Sequence, residues 1–188
     1  MKLKDRRLAF VDVETTGLDP SIHEIIEFSV LFLDRSMDLS FKIKPQHIET
    51  AHPKALEVNG YAPEKWEGAY TPQFAAELIG PKLKKCILVG QNINFDVGFI
   101  RALLKQEGND TLIDRRNIDT MVLALEHLVP CGLRDASLKG ICLFLGIEPE
   151  PAEHRAENGA LAALRVYNAL CRAGWWKRLW WRWRNRKG

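Results

Sequence analysis

Apolar residues form a nearly unbroken block from Leu8 to Val13, short enough for a buried strand and too short for a helix. A Gly/Pro turn, "TTGLDPS", follows it. In "EIIEFSVLFLD" the apolar side chains alternate through Ile26, Phe28, Val30 and Phe32, which predicts a second strand. "MDLSFKIKP" predicts a third that ends at Pro45, so the N-terminal third reads as a meander. From Ala51 the pattern becomes helical. "HPKALEVNG" closes on Gly60, and "TPQFAAELIGPKLKK" opens on a Thr-Pro helix start. "CILVGQN" returns to strand, and "NFDVGFIRALLKQEG" places Phe95, Phe99, Ala102 and Leu103 on one helical stripe before Gly108. "DTMVLALEHL", "DASLKGICLFLG" and "RAENGALAALRVYNALCRAG" predict three more helices. Strands first, then helices alternating with strands, imply an α/β fold with a mixed sheet flanked by helices.

Composition sharpens this picture at one place. The chain has 188 residues, 46% of them hydrophobic, enough for one well-buried domain. Its net charge of +3 is unevenly spread. Lys177, Arg178, Arg182, Arg184, Arg186 and Lys187 follow Gly174 without an acid among them, and without those six, 21 basic side chains face 24 acidic ones. A mildly acidic body is ill suited to holding nucleic acid by charge alone, but it suits clustered carboxylates that work with cations. We therefore divide the chain into a domain, residues 1–173, and a tail, residues 174–188.

The four cysteines show no CxxC or Cys/His zinc spacing, and Cys86, Cys142 and Cys171 have the apolar flanks of core residues. "MKLKDRRLAFVDVE" lacks the apolar run of a secretory signal, and no stretch reaches the roughly 20 apolar residues of a membrane span. A reducing, cytoplasmic setting is expected.

The candidate chemistry lies in acids. Asp12 and Glu14 are two apart on one strand and leave the same face. Two acids sharing an apolar strand face repel each other and lose hydration, a cost that a cation would offset. A solvated edge strand is the plainer alternative. The Thr-Thr-Gly that follows lets backbone amides approach a ligand. Asp96 sits at the mouth of a helix, where it could equally be a cap, and Asn92 and Asn94 beside it could be turn formers. His154 opens the final helix.

Taken together, these segments resemble the DEDD superfamily of 3′–5′ exonucleases, in its DEDDh branch of the proofreading epsilon-subunit type. "FVDVETTGLDP" is similar to the first motif, Asp-x-Glu-Thr-Thr-Gly. "VGQNINFDVGFI" is similar to the second, with Gln91 where the family has histidine. "IDTMVLALEHL" and "LRDASLKGICLFLGI" are similar to the linking helices, and "EHRAENGALAAL" to the third motif, His-x-Ala-x-x-Asp-Ala. The resemblance covers roughly residues 7 to 172 and implies a ribonuclease H-like fold. It also implies that Asp12, Glu14 and Asp96 hold two divalent ions, Mg²⁺ or Mn²⁺, roughly 4 Å apart. His154 would take a proton from the attacking water, a task suited to histidine's near-neutral pKa. Thr15, Thr16, Gly17 and Leu18 would line the terminal nucleotide, and Asn92 and Phe95 would flank the strand. The implied substrate is single-stranded DNA or RNA with a free 3′ end, held by sugar and stacking contacts.

One acid is missing. Five residues after the histidine the motif has a carboxylate, and here that position is Gly159. Glu157 lies about 200° and Asn158 about 100° away around a helix, so neither stands in directly. Glycine costs roughly 1 kcal/mol of helix stability relative to alanine, and nothing local favours it, so a packing role is not expected. Weaker metal binding and a rate loss of several orders of magnitude are. The chain could carry a substitution, be an inactive relative that still holds 3′ ends, or recruit Glu153 or Glu157.

The tail falls outside the motifs. On a helix, Trp175, Trp176, Leu179, Trp180 and Trp183 would span an arc of about 140°, opposite Lys177, Arg178, Arg182 and Arg184. Such a segment reads first as a helix in an anionic membrane interface, giving peripheral membrane association. A nucleic-acid clamp, and a disordered basic tail or partner-docking peptide, are the alternatives.

Overall fold

The computed structural model describes residues 6–109 and 113–172. The Trp/Arg tail, with its expected amphipathic helix, lies outside the described residues.

Five strands form one mixed sheet in the order β3-β2-β1-β4-β5, with β1 at Arg7–Thr15, β2 at Ile25–Phe32, β3 at Leu39–Lys42, β4 at Cys86–Gly90 and β5 at Asn117–Asp119. The expected meander is present: β1 pairs antiparallel with β2, and β2 with β3. β4 pairs parallel with β1 and β5 parallel with β4. The three-residue β5 has no run long enough to show in the hydrophobic pattern. The helices are α1 (Pro53–Asn59), α2 (Pro72–Leu83), α3 (Asn94–Gln106), α4 (Thr120–Leu128), α5 (Leu138–Leu145) and α6 (Ala156–Arg172).

The period of two along β1 divides its side chains between two layers. Ala9, Val11 and Val13 pair with Phe32, Val30 and Phe28 and join the main core, with Ile79 and Leu83 of α2 and Phe99 and Ile100 of α3. Phe10 points the other way, with Leu31 of β2, Val89 of β4, and Ala160 and Leu164 of α6. Every residue of β2 is buried, because both faces of this central strand are covered. On α3 the buried stripe runs through Val97, Phe99, Ile100, Leu103 and Leu104, while Ala102 is only half-buried, so the expected stripe is rotated toward Ile100.

A third cluster joins α4, α5 and α6 through Leu128, Ile141, Cys142, Ala162, Val166 and Leu170. Cys86 and Cys142 are buried as expected, but Cys171 is exposed, because it falls on the outer face of α6. Cys131 is buried instead.

Candidate active site

The α6-facing side of β1 carries Phe10, then Asp12, then Glu14. Its apolar part is covered by α6, and its polar part opens at the N-terminal end of that helix. Asp12 pairs with Ser29, which pairs with Ser40, and Glu14 pairs with Glu27, which pairs with Lys42. Two polar rungs thus cross three strands. The register shifts between Glu14 and Thr15, an irregularity of the kind that re-aims side chains beside active sites.

Asp96 reaches the same place from the first turn of α3. It does not cap that helix: the residue at the cap position is Ile93, and Asp96 Oδ1 accepts a hydrogen bond from the Val13 amide at 3.0 Å. Asp96 is 3% exposed. Asp12, Glu14, Asp96, His154 and Gly159 all border one cleft of about 420 Å³. His154 lies two residues before α6 rather than on it, and its amide donates to the Val58 carbonyl at 3.2 Å.

Among the described residues, no ion pair reaches Asp12, Glu14 or Asp96. Burial, followed by the charges of Asp96, Glu14 and Glu150, holds Asp12 well above the usual carboxylate range. Burial also raises Asp96 strongly, against the stabilising amides of Asp96 and Val13. Glu14 is pushed up to about 8 by burial and then by Glu27 and Glu150, with Arg155 acting in the opposite direction. Arg155 is itself tied to Glu27 at 3.3 Å and to Glu153 at 2.6 Å.

Hard carboxylate oxygens with excess negative charge and no ion pair among the described residues fit divalent ions of the Mg²⁺ or Mn²⁺ type. No group of three His, Cys, Asp or Glu among the described residues is already gathered as a metal cage, so the fit lies in the donor chemistry.

Gly159 lies closer to Asp12 than the sequence pattern suggests. A Cβ built on it would lie 2.5 Å from Asp12 Oδ2 and 2.6 Å from Asp12 Cγ. α6 therefore sits against the Asp12 carboxylate, which would have to turn aside for a side chain at position 159. This long-range contact has no local signal, which is why the sequence pattern does not show it.

The other expected residues divide. Thr15, Gly17, Leu18, Asn92 and Phe95 border the cleft, and Leu18 is 82% exposed at its rim. Thr16 is turned inward and fully buried, its hydroxyl accepting from the Glu24 amide at 2.8 Å, so it holds the turn and does not face the cleft. Asn92 takes a left-handed backbone conformation, as a turn former does, and borders the cleft as well. Gln91, in the place of the family's histidine, donates to the Ala136 carbonyl at 2.9 Å and accepts from the Thr120 hydroxyl at 2.8 Å, tying α4 to the loop before α5.

Sequence reasoning missed one wall. His52, Val58 and Asn59 of the α1 segment border the cleft, with the Asn59 side-chain Nδ2 donating to the Thr15 carbonyl at 3.1 Å. It also missed Glu150, which lines the cleft from the loop before α6.

The DNA polymerase III PolC-type protein of Thermotoga maritima is 33% identical over 168 residues, 87% of this chain and 12% of that protein. The corresponding protein of Mycoplasma genitalium is 30% identical over 88% of this chain and 11% of its own length. The chain thus spans about a tenth of these relatives. A crystal structure of E. coli exonuclease I in complex with a dT13 oligonucleotide superposes with a TM-score of 0.73 at 19% identity, over 88% of this chain and 41% of that one. That likeness bears out the ribonuclease H-like fold. The Exonuclease family model (RNase_T) matches residues 9–167, from β1 well into α6, and so takes in all three motifs. The chain belongs to the Exonuclease family and carries a DEDD-type 3′–5′ exonuclease domain.

Proposed function

We propose that this domain removes nucleotides one at a time from the 3′ end of single-stranded nucleic acid by metal-assisted phosphodiester hydrolysis. One observation carries the reading: Asp12, Glu14, Asp96 and His154 converge on a single cleft whose three named carboxylates form no ion pair among the described residues. Asp12, Glu14 and Asp96 would hold the ions. Divalent cations, when bound, supply acidification of a water and neutralisation of charge on the leaving 3′ oxygen. His154, with its side chain 45% exposed at the rim, is free to take the water's proton and pass it to solvent. Leu18 offers an apolar face to the terminal base, and Phe95 and Asn92 guide the strand behind it.

Single-stranded DNA is supported as a substrate class by the oligonucleotide complexes of exonuclease I, which include dT13 and dA16. Ribonuclease T of Shewanella frigidimarina, 28% identical over 52% of this chain, keeps RNA in view. The 2′-hydroxyl is what such a slot would read.

A 5′-labelled single strand incubated with Mg²⁺ or Mn²⁺ tests the proposal. It should shorten progressively from its 3′ end, and Asp12→Ala should abolish shortening. Gly159 favours a second reading, a silent module that holds 3′ ends. Binding without shortening in either metal, by wild type and Asp12→Ala alike, would establish that reading.

A further inference from the structure

With Gly159 carrying no side chain, the site described above is one acid short of the motif. We propose that Glu150, in the loop between α5 and α6, supplies the fourth carboxylate of the metal site in its place. The inference rests on the exonuclease reading and adds a ligand to it.

Besides Glu148, which is exposed and does not border the cleft, three glutamates lie near enough in sequence to be considered, and the structure separates them. Glu153 faces away from the cleft: its Oε1 is 2.6 Å from Arg155 Nη2, and its carboxylate lies over Gly60. Glu157 is exposed in the first turn of α6. Glu150 alone of the three borders the cleft with Asp12, Asp96 and Gly159. Its side chain is only 15% exposed, and Oε1 lies 3.7 Å from His154 Nδ1. Its charge also acts on both Asp12 and Glu14.

The backbone supports the placement. Glu150 stands between Pro149 and Pro151. Proline fixes its own φ and disfavours the helical region for the residue before it, so the Pro-Glu-Pro run is stiff and Glu150 is biased toward extended backbone. The loop is pinned at both ends. Ile147 donates to the Cys142 carbonyl at 2.8 Å, and His154 to the Val58 carbonyl at 3.2 Å. A carboxylate from position 159 would have to share space with Asp12, where even a Cβ lies within 2.5 Å. One entering from the rim does not.

A second observation points to a ligand between these acids. Asp96 is almost wholly buried, and the one hydrogen bond its side chain takes from another described residue is the Val13 amide on Oδ1. No other described residue donates to its second oxygen, and Asp96 borders the cleft. The Asp12 carboxylate, to which no described residue makes an ion pair, stands beside Gly159 on the same wall.

The test is Mn²⁺ titration by calorimetry at pH 8, with single-strand shortening measured in parallel, on the full chain and on Glu150→Gln, Glu150→Asp, Glu157→Gln and Asp12→Ala. Glu150→Gln should weaken Mn²⁺ binding by roughly 10- to 100-fold and slow shortening, with an unchanged circular-dichroism spectrum. Glu150→Asp should recover part of the affinity, and Glu157→Gln should match wild type. Wild-type Mn²⁺ affinity in Glu150→Gln overturns the inference; if shortening alone then falls, Glu150 positions His154 instead. If Asp12→Ala loses Mn²⁺ and activity while Glu150→Gln keeps both, the nuclease reading stands and only Glu150 is removed from it. If wild type neither takes up Mn²⁺ nor shortens DNA or RNA strands, the nuclease reading falls and this inference falls with it.

Discussion

Without divalent cations, the fold should weaken as pH rises from 5 to 8. Glu14 is the group that allows a magnitude to be worked out. Its carboxyl is held at about 8 in the fold, against 4.5 for an ordinary glutamate. Below pH 4.5 both the folded and unfolded chains keep the proton, and the group contributes no difference. Between 4.5 and 8 the unfolded chain releases it while the folded chain does not, so each step up in pH favours unfolding. Above 8 the loss levels off. At about 1.4 kcal/mol per pH unit this approaches, as a ceiling, on the order of 5 kcal/mol, a large share of the roughly 5–15 kcal/mol that holds a domain together. Asp12, Asp96 and Glu27 are displaced in the same direction, chiefly by burial, and add to the trend.

Asp19, Asp34, Asp135 and Glu49 are displaced downward, the three aspartates chiefly by hydrogen bonds from nearby serines. Their contributions change only in acid, at and below the ordinary carboxylate range, and do not mask the effect. Thermal melting in EDTA at pH 5, 6, 7 and 8 would show it. Between pH 5 and 8 Glu14 accounts for roughly 3.5 kcal/mol of this, and at roughly 2–4 °C per kcal/mol for a domain of this size the melting temperature should fall by about 7–14 °C. Mn²⁺ should restore it, because an ion that binds only the folded chain stabilises by mass action. Glu14→Gln should flatten the metal-free slope. A melting temperature that stays level or rises over this range in EDTA would refute the argument, as would an unchanged slope in Glu14→Gln.

Other outcomes follow from the same geometry. Gly159→Ala should lose the roughly 1 kcal/mol that alanine ordinarily gains in a helix, because its Cβ must displace the Asp12 carboxylate. Mn²⁺ affinity should fall with it, and a variant stabilised by the full amount with unchanged affinity would refute this. His154→Gln should slow shortening by about 10²- to 10⁴-fold while leaving melting within about 0.5 kcal/mol of wild type, since the side chain is half exposed. Leu18→Ala, at the exposed rim, should raise KM for single strands and leave melting unchanged. The tail reading rests on the sequence alone: if residues 174–188 bind an anionic surface, truncation after Gly174 should abolish sedimentation with anionic vesicles at low salt, and loss of single-strand affinity instead would make the tail a nucleic-acid clamp.

Much of the fold is legible in the sequence because periodicity is local. Alternation along β1 puts Asp12 and Glu14 on one face by their spacing alone, and the β2 and β3 patterns and the order of helices follow in the same way. The motifs identify Asp96 and His154 as candidates but not their surroundings. Whether Asp96 caps a helix or faces the acids depends on a hydrogen bond to Val13, 83 residues away. Thr16 and Leu18 stand two apart in one turn, yet one is buried and the other bare, because only the first finds a partner in Glu24. The fit of Gly159 against Asp12 and the presence of Glu150 in the cleft are decided by how α6 and its preceding loop dock on the sheet. A glycine has no polarity to read, and a Pro-Glu-Pro loop has no period. Their roles come from packing between segments far apart in the chain, where sequence spacing carries no information about distance.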